Sequence, residues 1–223
     1  MTIFFYLFFL LFLGIFFISH MLTRLLSRLL YKFTKRQSFA LQLFSFLFLP
    51  GVIIHELAHF FVASILFVPT GEIEFLPVLE KDTLKLGSVE IGRSDPVRRL
   101  FIGVAPVLVG LLVMLVSFTY LSTDIFHSWQ KIAILLVVLF EVGNTMFSSK
   151  KDLEGALGLV VVCALLGITL FLWGIRLPSW FNNFFLFFTK QSFFQNLDVL
   201  LLLLFFIDGM LIALFRFLLR RSR

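Results

Sequence analysis

Two histidines and a glutamate stand inside the apolar run GVIIHELAHFFVAS, Gly51 to Ser64. His55 and His59 are four residues apart, so on a helix they lie one turn above each other and converge on a single ion, with Glu56 beside them. HExxH is the zincin signature. Two imidazoles and a third protein ligand leave one position for water, the water's pKa falls towards about 7, and the glutamate takes its proton. The chain has only four histidines, and ionisable residues within an apolar span are costly enough that they are usually functional. The bland alternative is a structural polar cluster. His20, at the end of the first apolar stretch, and His127, in the connection STDIFHSWQ, read as interfacial residues.

The elements that must position these groups are apolar throughout. Of 223 residues 60% are hydrophobic and 14% charged, against roughly 25% charged in a soluble domain, which makes this an integral membrane protein. The opening MTIFFYLFFLLFLGIFFIS lacks a basic n-region and a small-residue cleavage site, so it is expected to be a retained span. Cys163 is the single cysteine, which excludes a disulfide framework and a thiolate zinc site. The net charge of +6 comes from basic residues beside the apolar runs, a pattern that suits anionic lipid headgroups and carries no nucleic-acid signature.

A bilayer-crossing helix needs about 20 mostly apolar residues. Six stretches qualify or nearly so: Ile3 to Leu22, Phe39 to Val68, Arg99 to Leu121, Lys131 to Ser148, Leu153 to Trp173 and Leu197 to Phe215. Arg24, Arg28, Lys32 and Lys35 form a helical stripe beside Leu25, Leu29 and Phe33, which predicts a basic amphipathic helix at the interface. The long connection between Pro69 and Pro96 alternates polar and apolar residues in GEIEFL and GSVEIG, which predicts a β-hairpin over 69–97. The expected fold is an all-α polytopic membrane protein of about six transmembrane helices with this hairpin after the HExxH helix. Residues 1–38 hold the first span and the basic helix, 39–175 the core, and 176–223 an aromatic interfacial segment, the last span and a basic tail. The balance of Lys and Arg between alternating loops favours a cell membrane with both termini and the hairpin in the cytoplasm.

A catalytic zinc site needs a third ligand from another span; Glu141, Asp152, Glu154, Asp198 and Asp208 are the acids available. HELAH within an apolar helix, a β-like insertion, FIGVAPVLVG opening the next span and NTMFSSKKDLEG beyond it together resemble the core of the site-2 protease family of intramembrane metalloproteases, over residues 39–175. In that family an asparagine precedes the ligating aspartate by eight residues, as Asn144 precedes Asp152. Phe147 and Lys150 stand where the family has prolines, Leu153 where it has glycine, and Val109 where the motif around Ala105 and Pro106 has asparagine. FFIDGM around Asp208 offers an aspartate-glycine pair, but Leu200 occupies the position eight residues before it. Asp152 also suits a helix N-cap before LEGALGLV, and Glu154 remains a candidate in a zincin of another family.

The resemblance implies zinc held by His55, His59 and Asp152, with Glu56 as general base. It also implies Asn144 hydrogen-bonding the substrate backbone or the developing oxyanion, and a transmembrane protein as substrate. Pro50 and Gly51, one turn before His55, can kink the helix and open a water-filled pocket, and a hairpin edge can hold an unwound substrate extended. Glu141, three residues before Asn144 and on the same helical face, could line a water path, pair with the hairpin's arginines or serve as a purely structural partner. No stretch is long or polar enough for a PDZ domain, so a compact, core-only member is expected, with a regulatory partner left open. A divalent-metal transporter or metal-binding membrane protein, and an inactive protease-like scaffold, are the alternatives.

Overall fold

The computed structural model describes residues 2–75, 78–80, 83–85, 87–121, 128–147, 161–162, 165–170, 172–174 and 191–220. Within them the chain is mostly helical. Its long helices are α1 (Thr2–Thr34), α2 (Gln37–Ile65), α3 (Pro96–Leu121), α4 (Trp129–Thr145) and α5 (Gln191–Arg220). Between α2 and α3 lie β1 (Thr70–Glu74), β2 (Val78–Glu80), β3 (Thr83–Lys85) and β4 (Ser88–Ile91). The predicted hairpin is therefore present as two nested antiparallel ladders. β1 pairs with β4, Ile73 opposite Val89 and Glu74 opposite Ser88, with a bulge before Ile73; β2 pairs with β3, Leu79 opposite Leu84.

Among the described residues α1, α2, α3 and α5 are long and apolar enough to cross a membrane. The expected fourth span is α4, a helix of 17 residues, and most of the expected fifth lies outside the described residues. The first span and the basic stripe form one unbroken helix of 33 residues. At 1.5 Å per residue it is about 50 Å long, so its basic end projects beyond a hydrocarbon core of about 30 Å. Lys35, in the left-handed conformation with φ 52°, ends α1 with its N–H on the Tyr31 carbonyl at 2.8 Å, and the chain turns back into α2.

The order of helix contacts fixes their directions. Gly14 lies against Phe205, Arg216 reaches Met21, and the Lys32 ammonium donates to the Leu218 carbonyl at 2.8 Å, closing the α5 C-terminus. Positions rise together on both helices, so α1 and α5 run parallel, and the start of α1 and the end of α5 stand at opposite ends of the bundle. Six alternating spans with both termini on one side would have made the first and last helices antiparallel.

The main core draws Leu11 and Ile15 from α1, Val107 and Met114 from α3, Leu139 from α4 and Leu204 from α5. Large apolar side chains such as Phe46, Leu112, Tyr120 and Met210 are exposed on the outer faces, as suits a membrane-associated protein. Close helix approach depends on two glycines of the central layer. A Cβ at Gly51 would stand 2.6 Å from both the Glu141 carbonyl oxygen and Thr145 Oγ1, and one at Gly143 would collide with Leu204 Cδ2. α2 continues through Pro50, and the Gly51 N–H donates to Glu141 Oε2 at 3.3 Å. α3 begins at a capped turn: Asp95 Oδ1 accepts the N–H groups of Val97 at 3.1 Å and Arg98 at 3.0 Å, with Pro96 at the first helical position.

Candidate metal centre

The site is shaped by the way α2 stops. The Phe67 N–H bonds the Ser64 carbonyl and the Val68 N–H the Ala63 carbonyl, with Phe67 left-handed at φ 55°. That double pattern terminates a helix and satisfies its last carbonyls. Val68 packs with Ala63 and with Ile102 of α3, the chain enters β1, and β4 returns beside α2. Gly87, just before β4, approaches α2 closely enough that a Cβ there would stand 2.8 Å from Val52 Cγ1 and 2.9 Å from Glu56 Oε1. The hairpin thus reaches into the bundle to the level of the HExxH glutamate.

His55, Glu56 and His59 are all buried, at 3%, 5% and 7% exposure. The two imidazole centroids are 4.9 Å apart with their planes at 82°, as the i, i+4 spacing requires. His59 Nδ1 lies 2.8 Å from the carbonyl oxygen of Ile102. A carbonyl can only accept, so Nδ1 carries the hydrogen, and in the neutral ring Nε2 is then the lone-pair nitrogen. Metal-ligating histidines are oriented in this way, with the second ring N–H on a carbonyl or carboxylate. His59 therefore fits a metal ligand on its donor chemistry and its orientation, and His55 on its donor chemistry and its place one turn away.

Among the described residues no three His, Cys, Asp or Glu side chains form a group that could hold a metal ion. Glu141, Asp198 and Asp208 thus do not complete the histidine pair. Asp152 and Glu154 lie outside the described residues.

Asn144 and Asp208 are brought together instead. The Asn144 amide nitrogen donates to Asp208 Oδ1 and to the Phe140 carbonyl, both at 3.0 Å, while Ser19 Oγ donates to the Asn144 main-chain oxygen at 3.1 Å. Two acceptors consume both side-chain N–H groups, which leaves the amide only its Oδ1 acceptor. Asn144 Oδ1 and Asp208 Oδ2 are buried with no hydrogen-bond partner among the described residues. Glu141 and Asn144 turn to different helices: Glu141 to Gly51 of α2 and Asn144 to Asp208 of α5, so Glu141 is a structural partner of the α2 backbone.

Three contributors escaped the sequence reading: Gly87, the Ile102 carbonyl, and Asp208 as the partner of Asn144. The last had a visible signal, because isolated polar residues in apolar helices tend to meet one another. Comparisons of the chain with protein-family models, with curated proteins and with solved structures find no match.

Proposed function

We propose that the chain is a multi-pass membrane zinc endopeptidase that hydrolyses peptide bonds in or beside the transmembrane segments of other membrane proteins, as its resemblance to the site-2 protease family implies. The observation that carries this reading is the approach of Gly87 to Glu56 beside two buried, perpendicular imidazoles one helical turn apart. A strand edge, a carboxylate and a metal-binding pair meet at one level of an apolar bundle.

In this reading His55, His59 and Asp152 would hold the zinc, and a zinc ion bound there supplies Lewis-acid polarisation of a peptide carbonyl and of water. Glu56 accepts the proton of the attacking water and returns it to the leaving amine. A helical substrate hides its carbonyls in its own hydrogen bonds, so the β1–β4 ladder offers main-chain groups to a locally unwound segment, a form of β-augmentation. Asn144 has only an acceptor to offer, which suits an N–H of the unwound backbone rather than an oxyanion. The partners are the lipid bilayer and a transmembrane substrate, with no nucleic acid.

The test is zinc content per chain and cleavage of a panel of transmembrane peptides in detergent or liposomes. Glu56→Gln is expected to keep zinc and lose cleavage, while His59→Ala and Asp152→Ala lose zinc. Zinc flux that survives Glu56→Gln, with no peptide cut by the wild type, would replace this reading with a transporter.

A further inference from the structure

Pro106 lies inside α3, fully buried, four residues after Ile102. In an α-helix the carbonyl of residue i takes the N–H of residue i+4, and proline has no N–H to give. The Ile102 carbonyl therefore lacks its ordinary intrahelical donor. Ile102 is itself only 2% exposed, so water does not readily replace that donor, and buried carbonyls are almost always paired. The donor that fills the gap comes from another helix: His59 Nδ1, 2.8 Å away.

We infer that Pro106 is a positioning residue of the metal centre. By removing the helix's own claim on the Ile102 oxygen, it reserves that oxygen for the His59 Nδ1–H and holds the ring with Nε2 as its ligating nitrogen. Residue 106 touches neither metal nor substrate in this role and acts through one main-chain atom and one imidazole. The spacing is specific: a proline at 105 or 107 would free the carbonyl of residue 101 or 103 instead. The inference rests on the zinc reading and not on peptide cleavage, so it applies equally to an inactive scaffold that still binds metal.

Any ordinary amino acid at 106 restores an N–H that competes for the Ile102 oxygen. Pro106→Ala and Pro106→Leu do so with different bulk, so an effect shared by both is due to the N–H and not to lost ring packing. Two readouts on the purified full chain test the idea. In metal-free protein labelled with 15N-histidine, at mildly alkaline pH, the wild-type His59 resonances, assigned by their loss in His59→Gln, are expected to show the Nδ1–H tautomer. Both Pro106 variants are expected to show a mixture with the Nε2–H form. In zinc and cobalt titrations both variants are expected to bind about ten- to a hundredfold more weakly. A merely structural proline would weaken binding with the tautomer unmoved, a result that also overturns the inference. An unchanged tautomer with unchanged affinity overturns the inference and leaves the zinc reading standing; a wild type that takes up neither metal overturns both.

Discussion

The Asn144 side-chain amide on α4 donates to the Asp208 carboxylate on α5 across 3.0 Å, joining two helices through a pair with almost no solvent exposure. No other donor reaches Asp208 among the hydrogen bonds of the described residues. Asn144→Leu therefore strands a buried carboxylate and is expected to destabilise the fold by about 1–3 kcal/mol, whereas replacing both partners by apolar groups of similar shape is nearly neutral. Unfolding of Asn144→Leu and of the Asn144→Leu/Asp208→Leu double variant in detergent measures this. A double variant less stable than the single one would show that the pair does not act as a unit.

Gly87 has no room for a side chain between Val52 and Glu56. Gly87→Ala is expected to push the Glu56 carboxylate or the β4 edge aside by a fraction of an ångström to an ångström, a displacement that can cost about a hundredfold in rate. Zinc content should remain at the wild-type level, because neither histidine is touched. Paired zinc and turnover measurements check this, and loss of zinc in Gly87→Ala would mean that the glycine supports the histidines instead.

Asp95 caps α3, and the Arg98 backbone N–H, helped by its guanidinium, holds the Asp95 carboxyl below the ordinary carboxylate range. A lowered folded pKa means that the cap's contribution is complete above the ordinary aspartate pKa and disappears as the pH falls through the folded value. Asp95→Asn keeps a capping side chain but removes the titration. The midpoint of thermal unfolding is therefore expected to fall more steeply below pH 4 in the wild type than in Asp95→Asn, and parallel curves would remove Asp95 from the acid response.

Residues that break a local pattern were legible in the sequence. His55, Glu56 and His59 interrupt an apolar helix, and the alternation of GEIEFL and GSVEIG between two prolines announced strands in a helical chain. What was not legible was set by contacts between distant segments. Asn144 and Asp208 are 64 residues apart, and each alone reads as a polar exception, one attached to Asp152 by spacing and the other a decoy ligand. Gly87 is one of 13 glycines, and only the packing of β4 on α2 gives it a reason. The direction of α5 relative to α1 was not legible either, because hydropathy does not carry it and it is read only from contacts such as Lys32 with Leu218 and Arg216 with Met21.

That pairing also bears on how the protein is made. Among the described residues the most extensive helix contact joins α1 to α5, with Lys32 bonded to a carbonyl 186 residues later. During synthesis the HExxH helix leaves the ribosome with α1 beside it, but the wall that anchors Asn144 arrives only with α5. Contacts this remote in sequence form late, after the loop-closure entropy has been met. A nascent chain interrupted before Gln191 would carry both histidines and the glutamate yet lack α5, so the bundle around them closes only once α5 has been made.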